Sequence, residues 1–111
     1  MDNHAIVIAD ASGTIQMWSH GAERLFGHRA DAAVGQTLDL IVPDDFKAQH
    51  WAGFRRAMAS GSAGHEGEPF ELPVRKRDGG VTAFPGLFRL LRNGKNEVIG
   101  AIAIFSAPAS R

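Results

Sequence analysis

At 111 residues the chain is long enough for one domain and short of two, and its 12 basic and 12 acidic side chains balance to a formal charge of zero. That balance leaves no basic footprint for nucleic acid. No apolar run approaches a membrane span and no charged-then-apolar leader occurs, so the expectation is one cytoplasmic domain with no membrane partner. Cysteine and tyrosine are absent, which excludes disulfides, thiolate metal sites, cysteine nucleophiles and covalent cofactor attachment through sulfur.

In chain order, His4 to Ala9 reads as a short apolar strand, with Ile6 and Ile8 expected on its inner face and Val7 on the other. Asp10 to Gly13 is a turn cluster, and Thr14 to Trp18 completes a hairpin. Ser19 suits a helix cap, ahead of Ala22, Leu25 and Phe26 at helical spacing and Gly27 as the stop. A second short helical turn spans His28 to Val34, closed by Gly35. Gln36 to Val42 holds one more turn.

Pro43 to Gly61 carries the signals of a longer helix. Pro43 suits the first turn, Asp44 and Asp45 put negative charge at the start, and Arg55 and Arg56 put positive charge near the end. Gly61 is a natural stop. Phe46, His50, Phe54, Ala57 and Met58 fall on one face, while Lys47, Gln49, Arg55 and Arg56 face elsewhere. His50 therefore sits inside an apolar stripe. It is either a neutral core histidine with bonded ring nitrogens or a ligand to something held in the interior.

The segment from Ser62 to Pro69 is polar and glycine-rich, a loop. Phe70, Leu72 and Val74 alternate with polar residues and Pro73, which marks an edge strand. Arg77-Asp-Gly-Gly80 turns the chain into a strand from Val81 to Leu91, with Phe84, Phe88 and Leu90 on one face. Val98 to Phe105 is apolar on both faces, as a central strand is. Two strands, short helices, one long helix and a three-strand meander fit an α+β fold, one antiparallel sheet with helices on one face. Its interior would draw His50, Phe54 and Met58 from the helix, Phe70 and Leu72 from the edge strand, Phe84, Phe88 and Leu90 from the next, and Ile102 from the last.

The pieces AIVIADASGTIQMWSHGAERLFGH, AVGQTLDLIVPDDF, KRDGG and EVIGAIAIF, in that order and spacing, resemble a PAS domain from about His4 to Phe105. The resemblance implies one PAS domain over residues 1–107 with a short polar tail at 108–111. It also implies a five-stranded antiparallel sheet and a pocket between sheet and long helix, in a sensory or dimerisation module rather than an enzyme. DDFKAQHWAGFRRAMASG followed by KRDGG also resembles the haem-binding PAS domains of bacterial oxygen sensors. There a histidine on this helix ligates iron, which implies haem b with His50 as metal ligand. His65 lies near where those sensors contact haem propionates. They place a distal arginine or methionine where this chain reads Glu68-Pro69-Phe70. Phenylalanine cannot donate a hydrogen bond to dioxygen, so carbon monoxide or nitric oxide is the expected gas. The resemblance also implies pairing through the outer sheet face and the N-terminal segment, with Leu87, Leu91 and Phe105 as candidates for a homodimer or a partner signalling protein.

His4, His20 and His28 have no metal-ligand spacing and read as surface residues. No catalytic triad, phosphate cradle or paired-carboxylate site is visible. Three functions compete: a haem-based gas or redox sensor, a PAS module for another small ligand or flavin, and a cofactor-free PAS fold used for self-association or partner binding. The chain reads equally as a stand-alone protein or as a piece of a larger sensor.

Overall fold

In the computed structural model, residues 3–108 are described; the end of the polar tail, 109–111, lies outside them. Five strands, β1 (His4–Asp10), β2 (Ile15–Trp18), β3 (Phe70–Arg75), β4 (Val81–Arg92) and β5 (Val98–Ser106), form one antiparallel sheet in the order β2-β1-β5-β4-β3. Helices α1 (His20–Phe26), α2 (Ala30–Ala33) and α3 (Lys47–Ser60) and two 3₁₀ turns (Leu38–Leu40 and Asp44–Phe46) lie between β2 and β3 in sequence. The apolar strand β5 is central and the proline-bearing β3 is at an edge, as the sequence requires. Among the described residues no helix is long and apolar enough to cross a membrane.

Local chemistry fixes the joints. The Asp10 carboxylate accepts from the backbone N–H of Ser12 and of Thr14 and from the Ser12 hydroxyl, closing the β1–β2 turn. The Ser19 hydroxyl oxygen accepts from Ala22 N–H at 3.1 Å as the α1 cap and from Ile6 N–H at 2.8 Å, which ties the helix start to β1. Gly21 lets α1 close down on the strand, because a Cβ there would lie 1.7 Å from the His4 carbonyl oxygen. The long helix begins one turn later than its charge pattern suggests. Pro43 caps a 3₁₀ turn over Asp44–Phe46, and α-geometry starts at Lys47 and runs to a left-handed Gly61.

The core gathers around Phe26, whose ring meets Phe105 at 5.0 Å, Phe84 at 5.1 Å and Trp18 at 5.8 Å, all edge-on. Two sequence expectations change here. Register pairs Ala5 with Phe105 and Val7 with Ala103, and Ala5, Val7 and Ala9 are the buried residues of β1. Ile6 and Ile8 are therefore on the outer face. A strand apolar on both sides carries no alternation to read, and the close approach of α1 selects the smaller side chains. Phe84 points into the same core, packed on Phe26 rather than on the long helix.

Candidate functional site

Between α3 and the sheet, two surfaces of small side chains oppose each other. Gly53, Ala57 and Ser60 line the gap from the helix and Ala9, Ala101 and Ala103 from the sheet. None reaches across, and nothing lies within 4 Å of a Cβ built on Gly53. The result is a cavity of about 830 Å³, within the ordinary range for small-molecule sites. Leu72, Phe88 and Leu90 wall it on the sheet side, and Ser62 to His65 on the side of the following loop.

His50 stands in the helix wall of this cavity, its ring 5.0 Å from Trp51 edge-on and 5.9 Å from Phe54, nearly parallel. Its Nδ1 is sealed from solvent with no hydrogen-bond partner, the one such side-chain atom among the described residues. Burial pushes its pKa below the ordinary 6.5, and the Asp39 carboxylate opposes that only in part. The imidazole is thus neutral at pH 7. Asp39 is itself engaged, accepting from the Trp51 indole N–H at 2.6 Å. The Trp51 ring lies over Gly13, where a Cβ would come within 2.3 Å of it and where φ is +86°. Glycine at that turn is what lets the tryptophan hold α3 beside the β1–β2 hairpin.

Of the residues singled out in the sequence, His50, Phe54, His65, Leu72, Phe88 and Leu90 line the cavity. Ile102 borders it, but its register partners Ile8 and Arg89 put its side chain on the opposite sheet face, so it contributes backbone. Met58, Phe70 and Phe84 are not part of the lining. Phe70 is 41% exposed and meets Phe88 edge-on at 6.4 Å. Gln49 and Arg56, expected to face elsewhere, do line it. The inward face of α3 is centred on Phe46, His50, Gly53, Ala57 and Ser60, a slight rotation from the expected stripe. The small residues Gly53, Ala57 and Ser60 carry this face as much as the large ones do. His65 is a surface residue at the mouth, its Nδ1 3.0 Å from the Glu68 carboxylate. Leu87 and Leu91 are half-buried on the outer sheet face, whereas Phe105, expected with them, is buried against Phe26 on the helix side. Among the described residues no three His, Asp or Glu side chains come together as a metal cage. A metal at His50 therefore has to arrive with its other ligands supplied.

A five-stranded antiparallel sheet and one long helix thus bound a cavity of small-molecule size. The family model described as the PAS fold matches residues 3–107, and the chain belongs to that family. It is 31% identical over 81 residues to the sensor protein FixL of Bradyrhizobium diazoefficiens, covering 73% of this chain and 16% of that protein. It is 27% identical over 73 residues to the oxygen sensor protein DosP of Escherichia coli, covering 66% of this chain and 9% of that protein. The chain thus spans only a small part of these relatives. Among solved structures, a PAS domain from Colwellia psychrerythraea superposes with a TM-score of 0.80 at 20% identity, over 97% of this chain and 88% of that one. The PAS domain of the Cronobacter turicensis quorum-sensing receptor RpfR, in complex with BDSF, gives 0.68 at 20% identity, over 98% and 97%.

Proposed function

We propose that this is a sensory PAS domain that holds haem b in the cavity under α3, with His50 as the protein ligand to iron. The observation that carries the reading is the half-buried imidazole in the cavity wall, kept neutral by desolvation, whose buried Nδ1 has no partner. A buried polar atom without a hydrogen bond costs stability unless something else uses the group. The donor set fits. His50 would supply a single nitrogen, and haem would bring the iron's remaining nitrogen ligands, which no cluster of described side chains provides. Arg56, Gln49 and His65 at the rim are the polar groups available to its carboxylates. Haem would supply an iron able to take a diatomic gas. The sheet side of the cavity offers carbon only, from Leu72, Phe88 and Leu90, which favours carbon monoxide or nitric oxide over dioxygen. The similarity to a protein named as an oxygen sensor supports the class of signal.

A second reading has its own support. The same apolar chamber with a cationic rim fits a fatty-acid-like amphiphile, and a structure of similar fold is in complex with C12:0. Titration of the protein with hemin separates the two. Stoichiometric uptake with a sharp Soret band, undiminished by excess dodecanoate, is the expected result. Hemin that binds weakly and is displaced by dodecanoate favours the amphiphile.

A further inference from the structure

The pairing of β3 with β4 ends at Phe70 opposite Gly86, so beyond it the edge of β4 has no strand beside it. The 62–69 loop covers that edge. Gly67 N–H donates to the Phe88 carbonyl at 2.8 Å, and Leu90 N–H donates to the Glu66 carboxylate (Oε2) at 2.9 Å. One backbone group and one side chain thus take the place of a missing strand. The bond to Glu66 is charge-assisted and partly buried, the stronger kind.

The loop so fastened is also a wall of the ligand cavity. Ser62, Ala63, Gly64 and His65 line it from the loop, and Phe88 and Leu90, the two residues to which the loop is tied, line it from the sheet. On one side of the fastening the loop departs from Gly61, left-handed at φ +77°, whose carbonyl accepts from Arg92 Nη2. Between Gly61 and Glu66 the remaining side-chain bonds are local or to solvent-facing groups: Ser60 with Ser62, and His65 with Glu68. His65 holds φ +65°, a left-handed conformation that a non-glycine residue adopts at a cost. The wall is therefore under backbone strain at His65 and held to β4 at two adjacent points, the Glu66 carboxylate and the Gly67 N–H.

We propose that Glu66 is the latch of a gate. Release of its carboxylate from Leu90 N–H lets residues 62–66 swing between Gly61 and Gly67, which stays tied to Phe88, and opens the cavity to a ligand with an apolar body. The proposal rests on the cavity being the ligand site, and it does not depend on which ligand fills it. Glu66 is absent from the cavity lining, so it acts on access and not as a contact to the ligand.

Amide hydrogen exchange of the ligand-free protein, wild type against Glu66→Ala and Glu66→Gln, tests the latch directly. Glu66→Ala should speed exchange at the Leu90 amide about tenfold or more, with β1 and β5 amides unchanged. Glu66→Gln keeps a carbonyl acceptor and should restore most of the protection. Stopped-flow uptake of hemin and of the apolar dye 1-anilinonaphthalene-8-sulfonate should accelerate in the same order. If the dye follows the latch while hemin fails to bind, the gate stands and the haem reading falls. The gate is overturned if Leu90 exchange is unmoved in Glu66→Ala, if exchange rises while both uptake rates stay the same, if glutamine behaves as alanine, or if no variant takes up either probe.

Discussion

His50 concentrates the chemistry of the chain in one side chain. Its folded pKa is held below 6.5 by burial, while unfolding returns it to that value. Below about pH 6.5 the unfolded chain binds a proton that the fold resists, so the contribution to stability is whole above that pH and is lost as pH falls. His28 adds to the same trend, lowered first by burial and then by Arg77 and Arg75. The midpoint of urea unfolding of the ligand-free protein should therefore drop between pH 7 and pH 5. Glutamine at position 50 cannot titrate, so His50→Gln should flatten the drop and leave only the part due to His28. An unchanged slope in that variant would place the pH dependence elsewhere. The pattern in the sequence showed that His50 faces inward. It could not show that Nδ1 goes unpaired, because that depends on which groups the tertiary packing brings beside the ring.

At the scale of elements, α3 is defined by what it lacks. Its small inward residues leave open space that a larger side chain can occupy. Gly53→Ala should stabilise the protein by about 0.5–1 kcal/mol, since a methyl there meets nothing within 4 Å and alanine is the better helix former. Ala57→Leu, which fills the chamber from the same face, should keep the fold and lose hemin uptake. A chemical melt and a hemin titration on the two variants check both statements. A destabilised Gly53→Ala would mean that the space is already taken. The order of the elements, the edge position of β3 and the caps at Ser19, Gly27 and Gly61 were legible because each rests on a local rule: a missing proline N–H, a hydroxyl acceptor, a left-handed backbone. The faces of β1, the inward turn of Gln49 and Arg56, and the withdrawal of Phe70 and Met58 from the cavity were not. Each is decided by packing between distant segments, where a strand apolar on both sides or a helix with mixed faces offers no local preference.

For the whole molecule, the sheet divides two environments. One face carries the helices and the cavity. The other carries Ile6, Ile104 and Leu87 side by side across three strands, with Ile8 and Ile102 in the next row beside Met17, 37% exposed. We propose that this apolar face is covered by a second copy of the chain or by a signalling partner. Sedimentation should show concentration-dependent association that Leu87→Glu abolishes, and a monomer at every concentration would remove a second copy as its cover. The other face holds the central claim, and the most direct test of it is the absorption spectrum of hemin-reconstituted protein, wild type against His50→Ala. The account predicts a sharp Soret band in the wild type that is lost or strongly shifted in His50→Ala, and that returns toward its wild-type position when free imidazole is added. A wild-type protein that takes up no hemin, or a His50→Ala spectrum indistinguishable from wild type, would contradict it.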